Sequence, residues 1–275
     1  MRHPAFASGH AAIVTGAASG IGLAAARHFA GLGMAVCMTD IDTQTLEREA
    51  AALVAGGADI LARPVDVADA AQVAGLRDAA VARWGHVSVL MNNAGRETTG
   101  RITDGANAWR AILETNLWGA INGVQAFMPG MVAAGRPACI VNTGSKQGIT
   151  TPPGNTAYNV SKAGLKVLTE GLAHDLLGTA VTAHLLIPGY TFTGFTRVRT
   201  SIKPDGAWTP EQVIEFMMER LGQGDFYILC PDNDTSRAVD ERRIRWAADD
   251  VILNRPALSR WHPDYAQAFK DFMAQ

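Results

Sequence analysis

The chain has 275 residues, of which 48% are hydrophobic and 18% charged, and its formal net charge is −2. This composition is typical of a compact globular protein and excludes a disordered chain. It also argues against nucleic acid as a main partner, because no surplus of basic residues is available to neutralise phosphates.

The compartment can be predicted from the N-terminus, the uncharged stretches and the cysteines. The first residues contain no long apolar core and do not form a convincing signal peptide. Residues 115–135 and 176–196 lack formal charge, but their polar residues, prolines and glycines favour buried elements of a sheet protein over membrane spans. Three widely separated cysteines indicate buried thiols in a reducing compartment. We therefore predict a cytoplasmic protein with no membrane partner.

A glycine-rich loop follows the first predicted strand, residues 10–14. An alanine-rich segment of high helix propensity then begins at Leu23. In this order the three pieces form a phosphate cradle, since glycines let the backbone approach a pyrophosphate and the helix N-terminus supplies free N–H groups. Because glycine loops also make plain turns, the prediction of a phosphate site depends on the strand before the loop and the helix after it. The residues expected to contact a dinucleotide are Gly16, Ser19, Gly20, Ile21 and Gly22.

The second predicted strand, residues 34–39, ends at Asp40. A carboxylate there can accept hydrogen bonds from both adenosine ribose hydroxyls and repels a 2′-phosphate. The glycine loop contains no lysine or arginine, and Ile41 rather than a basic residue follows Asp40. We therefore predict NAD rather than NADP as the cofactor. The alternative is that Asp40 is a simple turn residue.

Strands and helices alternate along the rest of the chain. The later predicted strands are 60–65, 87–91, 138–142, 180–187 and 226–230, and helices are predicted at 43–55, 109–131 and 210–221. This alternation predicts an α/β fold, a doubly wound parallel sheet of about seven strands with helices on both faces. Ligands bind such sheets beyond the carboxyl ends of the strands. Gly20, Asp40, Asn93, Ser145 and Thr193 all lie at or just past predicted strand ends.

A serine, a tyrosine and a lysine form the candidate catalytic group. Tyr158 and Lys162 are four residues apart and share one face if their segment is helical, as the apolar spacing after them indicates. A nearby ammonium favours the phenolate and is expected to lower the pKa of the tyrosine, which makes the pair a general acid/base. Ser145 follows a predicted strand, and its hydroxyl can bind the oxygen whose proton Tyr158 moves. The alternative is an ordinary half-buried pair on a helix.

Ser145, Tyr158 and Lys162, in this order and spacing, resemble the catalytic signature of the short-chain dehydrogenase/reductase family. The loop Thr15-Gly16-x-x-x-Gly20-Ile21-Gly22 is similar to the glycine loop of the same family. The resemblance covers about residues 9–193. It implies a Rossmann-type fold, a nicotinamide cofactor and a homodimer or homotetramer.

The resemblance also implies roles for further residues. Asp66, with Val67, would contact the adenine, although Asp66 also suits a helix cap. Asn93, Ala94 and Gly95 would line the cofactor site, as would Pro188 and Gly189, and Thr193 would bind the nicotinamide carboxamide. Asn116 would kink its helix and hold a water linked to Lys162, unless it is simply a structural asparagine.

The resemblance weakens after Thr193. Residues 194–208 are expected to form a mobile segment over the substrate, and its basic residues Arg197, Arg199 and Lys203 either hold an acidic group or face water, the second being favoured. Gln147, Tyr190 and Phe192 are expected to line the substrate pocket. The Asp232-Asn233-Asp234 cluster is rejected as an EF-hand because arginines stand where that loop needs glycine and glutamate, and we expect no metal site.

We expect a single Rossmann-fold oxidoreductase domain over residues 1–275, with a core at about 9–232. The C-terminal helical extension, about 233–275, would cover the pocket or pack on a neighbouring subunit. The predicted function is NAD-dependent hydride transfer between nicotinamide and a small-molecule secondary alcohol or ketone, with Tyr158 as the general acid/base. Two alternatives stay open, namely a non-redox epimerase or dehydratase on the same fold and a non-catalytic NAD-binding sensor.

Overall fold

A parallel sheet forms the centre of the molecule in our computed structural model, which describes residues 2–97, 100–194 and 202–274. Seven strands belong to it in this part of the chain, in the order β3-β2-β1-β4-β5-β6-β7. They are β1 (Ala11–Thr15), β2 (Ala35–Asp40), β3 (Ile60–Pro64), β4 (Val89–Asn92), β5 (Ala138–Thr143), β6 (Val181–Ile187) and β7 (Tyr227–Leu229). The predicted doubly wound sheet is confirmed, and each observed strand lies within two residues of its prediction.

Helices cover both faces of the sheet. In chain order they are α1 (Gly20–Gly31), α2 (Thr43–Ala55), α3 (Ala70–Trp84), α4 (Ala106–Leu113), α5 (Gly119–Ala133), α6 (Gln147–Thr150), α7 (Thr156–Asp175), α8 (Pro210–Gln223), α9 (Arg237–Ile252) and α10 (Ala266–Ala274). A π-helical turn, Glu114–Trp118, joins α4 to α5. The short helix α6 lies in a stretch for which the sequence predicts neither a helix nor a strand. No helix within the described ranges is long and apolar enough to cross a membrane.

The sheet is buried on both faces, which explains why its strands are apolar without alternation. All five residues of β1 and all six of β5 are buried. Along β1, Ala12 and Val14 contact the apolar cluster that contains Phe29, whereas Ile13 contacts the opposite cluster with Phe127. Successive side chains thus anchor helices on opposite sides of the sheet. Burial of a side chain such as Phe29 stabilises the fold by about 1.5–3 kcal/mol.

The position of the ligand site follows from the strand order. β1 pairs with β2 on one side and with β4 on the other, so the chain reverses its direction of winding there. The loops that leave the carboxyl ends of these strands separate to opposite faces and leave a crevice between them. The glycine loop after β1 and the Asn93 segment after β4 lie on either side of this crevice.

The C-terminal extension has a small core of its own. Trp246 of α9 is buried, and its Nε1 donates a hydrogen bond to Oγ of Ser259 at 2.8 Å. The guanidinium of Arg255 lies 3.9 Å from the centroid of the Trp246 ring, and Phe269 and Phe272 pack against the same ring. The extension is helical, as predicted. However, Val251 and Ile252, which follow the spacing of the apolar residues in α9, are exposed.

Candidate active site

A cavity of about 590 Å³ opens at the carboxyl edge of the sheet. Most of the residues predicted for cofactor, catalysis or substrate line it, namely Gly16, Ser19, Gly20, Ile21, Asp40, Asp66, Val67, Asn93, Ala94, Gly95, Ser145, Gln147, Tyr158, Lys162, Pro188, Gly189, Tyr190 and Thr193. Gly22, Asn116 and Phe192 are not among the lining residues. The cavity therefore brings together residues that follow the first six predicted strands.

The glycine loop has the geometry of an anion cradle. Gly16 and Gly20 have φ values of +66° and +55°, which glycine adopts without strain. A Cβ atom on Gly22 would overlap the carbonyl oxygen of Gly16 and lie 2.6 Å from Nδ2 of Asn93, so Gly22 serves close packing behind the cavity. The side chain of Ser19 makes no capping bond to α1. The first N–H groups of α1 therefore receive no cap from Ser19, and free N–H groups at a helix N-terminus suit a pyrophosphate.

Thr15 fixes the glycine loop to the end of β4. Its Oγ1 accepts hydrogen bonds from the backbone N–H groups of Asn93 and Ala94, both at 2.9 Å. Nδ2 of Asn93 donates in return to the carbonyl of Thr15 at 3.1 Å. Asn93 thus acts in part as a clamp between the two sides of the crevice. Sequence reasoning gave Thr15 no role of its own, because a threonine at a strand end carries no specific signal.

Asp40 makes the hydrogen bonds of a turn residue at the wall of the cavity. Its Oδ2 accepts the backbone N–H of Ala18 in the glycine loop, and its Oδ1 accepts the N–H of Asp42, each at 3.0 Å. These bonds are those of a turn residue, yet the carboxylate also lines the cavity. Each oxygen keeps a lone pair for a ribose hydroxyl. Ile41 beside it is 72% exposed and supplies no positive charge.

Asp66 organises the turn after β3. Its Oδ1 accepts the N–H of Ala68 at 3.0 Å, and its own N–H donates to Oε1 of Gln72 at 3.0 Å. The helix that follows is capped by Asp69, whose side chain accepts from two backbone N–H groups, so the suggestion that Asp66 is the helix cap is wrong. Val67 packs against Gly119, where a Cβ would lie 2.6 Å from Cγ2 of the valine.

Ser145, Tyr158 and Lys162 meet at the inner end of the cavity. Oγ of Ser145 accepts the backbone N–H of Gln147 at 3.2 Å, and Ser145 also hydrogen-bonds the Tyr158 side chain. Nζ of Lys162 lies 5.7 Å from the centroid of the Tyr158 ring and donates to the carbonyl of Thr143 at 2.7 Å. Lys162 is only 5% exposed. Helix α7 thus presents both side chains toward the serine at the end of β5.

Burial dominates the ionisation of this group. It raises the pKa of Tyr158 to about 12, an effect that the hydrogen bond from Ser145 opposes and the carboxylate of Glu97 reinforces. Burial also lowers the pKa of Lys162 to about 8. The expected lowering of the tyrosine pKa by the lysine is therefore wrong for the protein without ligands. The physical reason is that the ammonium is held by the Thr143 carbonyl while the phenol is desolvated.

Asn116 lies within the π-helical turn, so its helix is irregular at the residue for which a kink was predicted. Its side chain is 1% exposed and fixes the backbone of Arg96. Oδ1 accepts the N–H of Arg96 at 2.8 Å, while Nδ2 donates to the Arg96 carbonyl and to Oγ of Ser161, both at 3.1 Å. A Cβ on Gly95 would lie 3.5 Å from Oδ1 of Asn116 and 3.8 Å from Nζ of Lys162. Gly95 therefore leaves room between the asparagine and the lysine.

The substrate end of the cavity differs in part from expectation. Gln147 and Tyr190 line it, but Phe192 does not, and the N–H of Phe192 donates to the carbonyl of Trp208 at 2.8 Å. Lys203 matches neither predicted alternative, contact with water or with an acidic group, because its Nζ donates a hydrogen bond to the carbonyl of Ala207 at 2.8 Å. Phe195, Arg197 and Arg199 lie outside the described residues. Sequence reasoning missed three charged lining residues, Arg96, Glu97 and Lys146.

A separate group of soft ligand atoms lies at the opposite edge of the sheet. One possible ligand atom each of His3, Cys139 and His184 lies within 4.8 Å of the other two. The hydroxyl of Thr182 lies 3.1 Å from Nε2 of His3 and 2.9 Å from Nε2 of His184. Nδ1 of His184 bonds the carbonyl of Asp225 at 2.8 Å. Hydrogen bonds within the protein thus account for this group.

Comparison with known proteins gives consistent results. The family model described as "short chain dehydrogenase" matches residues 10–203. The chain is 36% identical to 1-deoxy-11-beta-hydroxypentalenate dehydrogenase of Streptomyces exfoliatus, over 91% of this chain and 94% of the relative. It superposes on a short chain dehydrogenase/reductase from Burkholderia phymatum in complex with NAD with a TM-score of 0.82 at 33% identity, covering 90% of this chain and 96% of the other. A metagenomic short-chain oxidoreductase in complex with NADP gives a TM-score of 0.69 at 28% identity, covering 82% and 98%.

Proposed function

The chain belongs to the short-chain dehydrogenase family, and from that premise we propose that it is an NAD-dependent oxidoreductase that interconverts a secondary alcohol and its ketone, with Tyr158 as the general acid/base. One observation carries the proposal. The side chains of Ser145 and Tyr158 line the same cavity as a phosphate cradle, Ser145 favours the ionised form of the tyrosine, and Lys162 is buried beside the tyrosine ring.

The protein residues position the substrate and move its proton. A bound nicotinamide supplies the hydride chemistry. Tyr158 is protonated in the free protein, so in ketone reduction its hydroxyl donates a proton to the substrate oxygen. Ser145 holds the same oxygen, because its Oγ is fixed by the N–H of Gln147 and its own proton is available to donate. In alcohol oxidation the tyrosine must first lose its proton, and the positive charge of Lys162 beside its ring offsets part of the cost of that ionisation.

Residues of the adenosine end support NAD over NADP. The carboxylate of Asp40 is held in place by two backbone N–H groups, and neither the glycine loop nor residue 41 offers a cation to a 2′-phosphate. Two like charges about 4 Å apart repel by about 1 kcal/mol in water and about 4 kcal/mol at an effective dielectric constant of about 20. We therefore expect kcat/KM to favour NAD by between about fivefold and a thousandfold. A preference for NADP would overturn this part of the proposal.

The redox reaction is favoured over the epimerase or dehydratase alternative. The curated relative described above is named a dehydrogenase, and several others of similar identity are named reductases. The two reactions are distinguished by whether NADH accumulates. The alternative of a non-catalytic sensor is disfavoured because a purely binding protein would not need Ser145 and Tyr158 joined beside a buried lysine.

The test is NADH formation from NAD with a panel of secondary alcohols, followed by absorbance. The panel contains aliphatic, aromatic, steroid and hydroxy-acid members. We expect turnover with one class, and we expect Tyr158→Phe to lower kcat by at least about a thousandfold without loss of folded structure, because the proton donor is removed. Tyr227→Phe, which removes the hydroxyl of an exposed tyrosine that is not among the residues lining the cavity, is the matched control. Near-normal turnover by Tyr158→Phe would refute the assigned role.

We also infer a cytoplasmic homodimer or homotetramer. All three cysteines are free and buried, which suits a reducing compartment. Large apolar side chains are exposed on α7 and the adjacent π-helical turn, namely Trp118, Val160 and Val167. A patch of this kind supports a contact between subunits. Light scattering coupled to gel filtration tests it, and a monomer at micromolar concentration would overturn the inference.

A further inference from the structure

The residue after the catalytic serine, Lys146, forms a largely buried ion cluster with the C-terminal part of the chain. Its Nζ lies 2.6 Å from Oδ2 of Asp240 in α9 and 3.2 Å from Oδ2 of Asp232. The side chain of Lys146 is 17% exposed and those of both aspartates are 6% exposed. We call these three residues the Lys146 cluster. It joins Ser145 to a helix that lies almost a hundred residues further along the chain.

Asp232 connects the same cluster to the substrate side of the cavity. Its Oδ2 also accepts the backbone N–H of Tyr190 at 3.2 Å. Gly189 packs directly on the cluster, since a Cβ there would lie 2.6 Å from Oδ2 of Asp232 and 2.9 Å from Nζ of Lys146. One ammonium group therefore supports two loops of the cavity, the one that carries Ser145 and the one formed by Gly189 and Tyr190.

The short helix α6 is held from its other side by the catalytic helix. A Cβ on Gly148 would lie 2.5 Å from the backbone carbonyl carbon of Lys162, so α6 and α7 are in close contact at the lysine. Two backbone hydrogen bonds close the turn of α6. The N–H of Gly148 donates to the backbone carbonyl of Ser145 at 3.0 Å, and the N–H of Ile149 donates to the backbone carbonyl of Lys146 at 3.1 Å. Ser145 therefore lies in a segment fixed by α7 on one side and by the Lys146 cluster on the other.

From this arrangement we propose that Asp240 is a positioning residue, through which the C-terminal extension sets the position of Ser145 and of the Gly189–Tyr190 backbone. The extension is then part of the structure that holds the active-site residues in place. An ion cluster suits this task, because a buried charge pair is directional although it adds little net stability relative to an apolar pair. Small displacements of a positioning group are costly for turnover, about a hundredfold for about 1 Å.

The test compares two substitutions on the same helix. Asp240→Asn removes one charge of the Lys146 cluster, while Asp232 still pairs with the lysine and the side-chain volume is kept. The control, Asp250→Asn, removes a carboxylate that bonds Arg255 and Ser259 inside the extension and has no contact with the cluster among the described residues. Both variants weaken the extension, but only the first changes the link to Ser145.

The first readout is amide hydrogen exchange, measured by mass spectrometry on the peptide that covers residues 145–151. We expect Asp240→Asn to accelerate exchange of the α6 amides at least about fivefold, whereas Asp250→Asn leaves them unchanged. The second readout is steady-state kinetics, in which Asp240→Asn lowers kcat by about tenfold to a hundredfold and Asp250→Asn leaves kcat within about twofold of the wild-type value.

The two readouts separate this proposal from the proposed function on which its kinetic part rests. Unchanged α6 exchange in Asp240→Asn would overturn the positioning role, whatever the wild type turns over. Equal effects of Asp240→Asn and Asp250→Asn on exchange would also overturn it, because they would reveal general loosening of the extension. An inactive wild type with the expected exchange pattern would refute the proposed function and leave the structural link established.

Discussion

Replacing Lys162 with methionine should abolish activity and yet leave the fold as stable as before, or more stable. The ammonium of Lys162 is 5% exposed and faces one carbonyl, that of Thr143, with no carboxylate among the groups that shift its pKa. Burial lowers its pKa from 10.5 to about 8. The protein therefore holds a charge that its surroundings disfavour, and methionine fills much of the same space without it.

The magnitude follows from linkage. A shift of about 2.5 pKa units corresponds to about 3 kcal/mol at pH 7, since each unit is worth about 1.4 kcal/mol. Methionine leaves the Thr143 carbonyl without its donor, which costs about 1–3 kcal/mol. The net change in the free energy of unfolding at pH 7 is thus between about 0 and +2 kcal/mol. Between pH 8 and 10.5 the unfolded chain binds more protons at this lysine than the folded one, so wild-type stability rises with pH there. The advantage of the variant should fall by about 2 kcal/mol between pH 7 and pH 9.5.

Urea unfolding of both proteins at several pH values, at one protein concentration, measures this difference. Other titrating groups are common to the two chains and cancel. Lys166→Met is the matched control, since Lys166 lies one turn further along α7 and pairs with Glu170 at the surface at 2.7 Å. We expect it to keep wild-type turnover and a pH-independent difference in stability. If Lys162→Met is destabilised by the same amount at every pH, the ammonium is not held against its desolvation and the reasoning fails.

Three further predictions test the tyrosine, the cofactor preference and the glycine loop. Because burial raises the pKa of Tyr158 to about 12, the absorbance difference between wild type and Tyr158→Phe should show no phenolate below about pH 10 in the ligand-free protein; a midpoint near neutrality would mean that Lys162 outweighs burial. Asp40→Ala should reduce the preference for NAD over NADP by at least about fivefold, and an unchanged ratio of kcat/KM would show that the carboxylate does not face the 2′-position. Gly22→Ala should destabilise the protein by about 1–3 kcal/mol and weaken NADH binding at least tenfold in fluorescence titration, whereas Gly31→Ala, where a Cβ meets open space, should do neither.

Much of the fold could be predicted from the sequence because a parallel sheet leaves a local signal. Strands buried on both faces are apolar throughout, and β5 and β6 were delimited within one residue for that reason. The helices were harder where the signal is short or shared. Helix α6 has only four residues and no capping side-chain bond, so nothing in its sequence separates it from a loop. In α9, Val251 and Ile252 follow helical spacing but lie at its end, beyond the part that packs.

The candidate site could be predicted where its residues follow strand ends, and not where distant segments meet. Asp40 and Ser145 were found because the carboxyl edge of the sheet collects ligands. Lys146 and Asp232 are 86 positions apart, and no local pattern connects them. The ionisation of Tyr158 was also beyond reach, because its sign depends on how deeply the phenol is desolvated and on where the lysine donates its hydrogen bond. The spacing of residues in the sequence predicts which groups are neighbours, but it does not predict how far each group is shielded from water.

The three buried thiols of the sheet can serve as probes of its local unfolding. Cys37 is in β2, Cys139 in β5 and Cys230 just after β7, all are completely buried, and burial raises the pKa of each to about 12. An alkylating reagent attacks thiolates that it can reach, so it modifies these positions only when their part of the sheet opens. Because the three lie in the second strand of the sheet, in the fifth and just past the seventh, the order in which they are labelled would show which side of the sheet separates first.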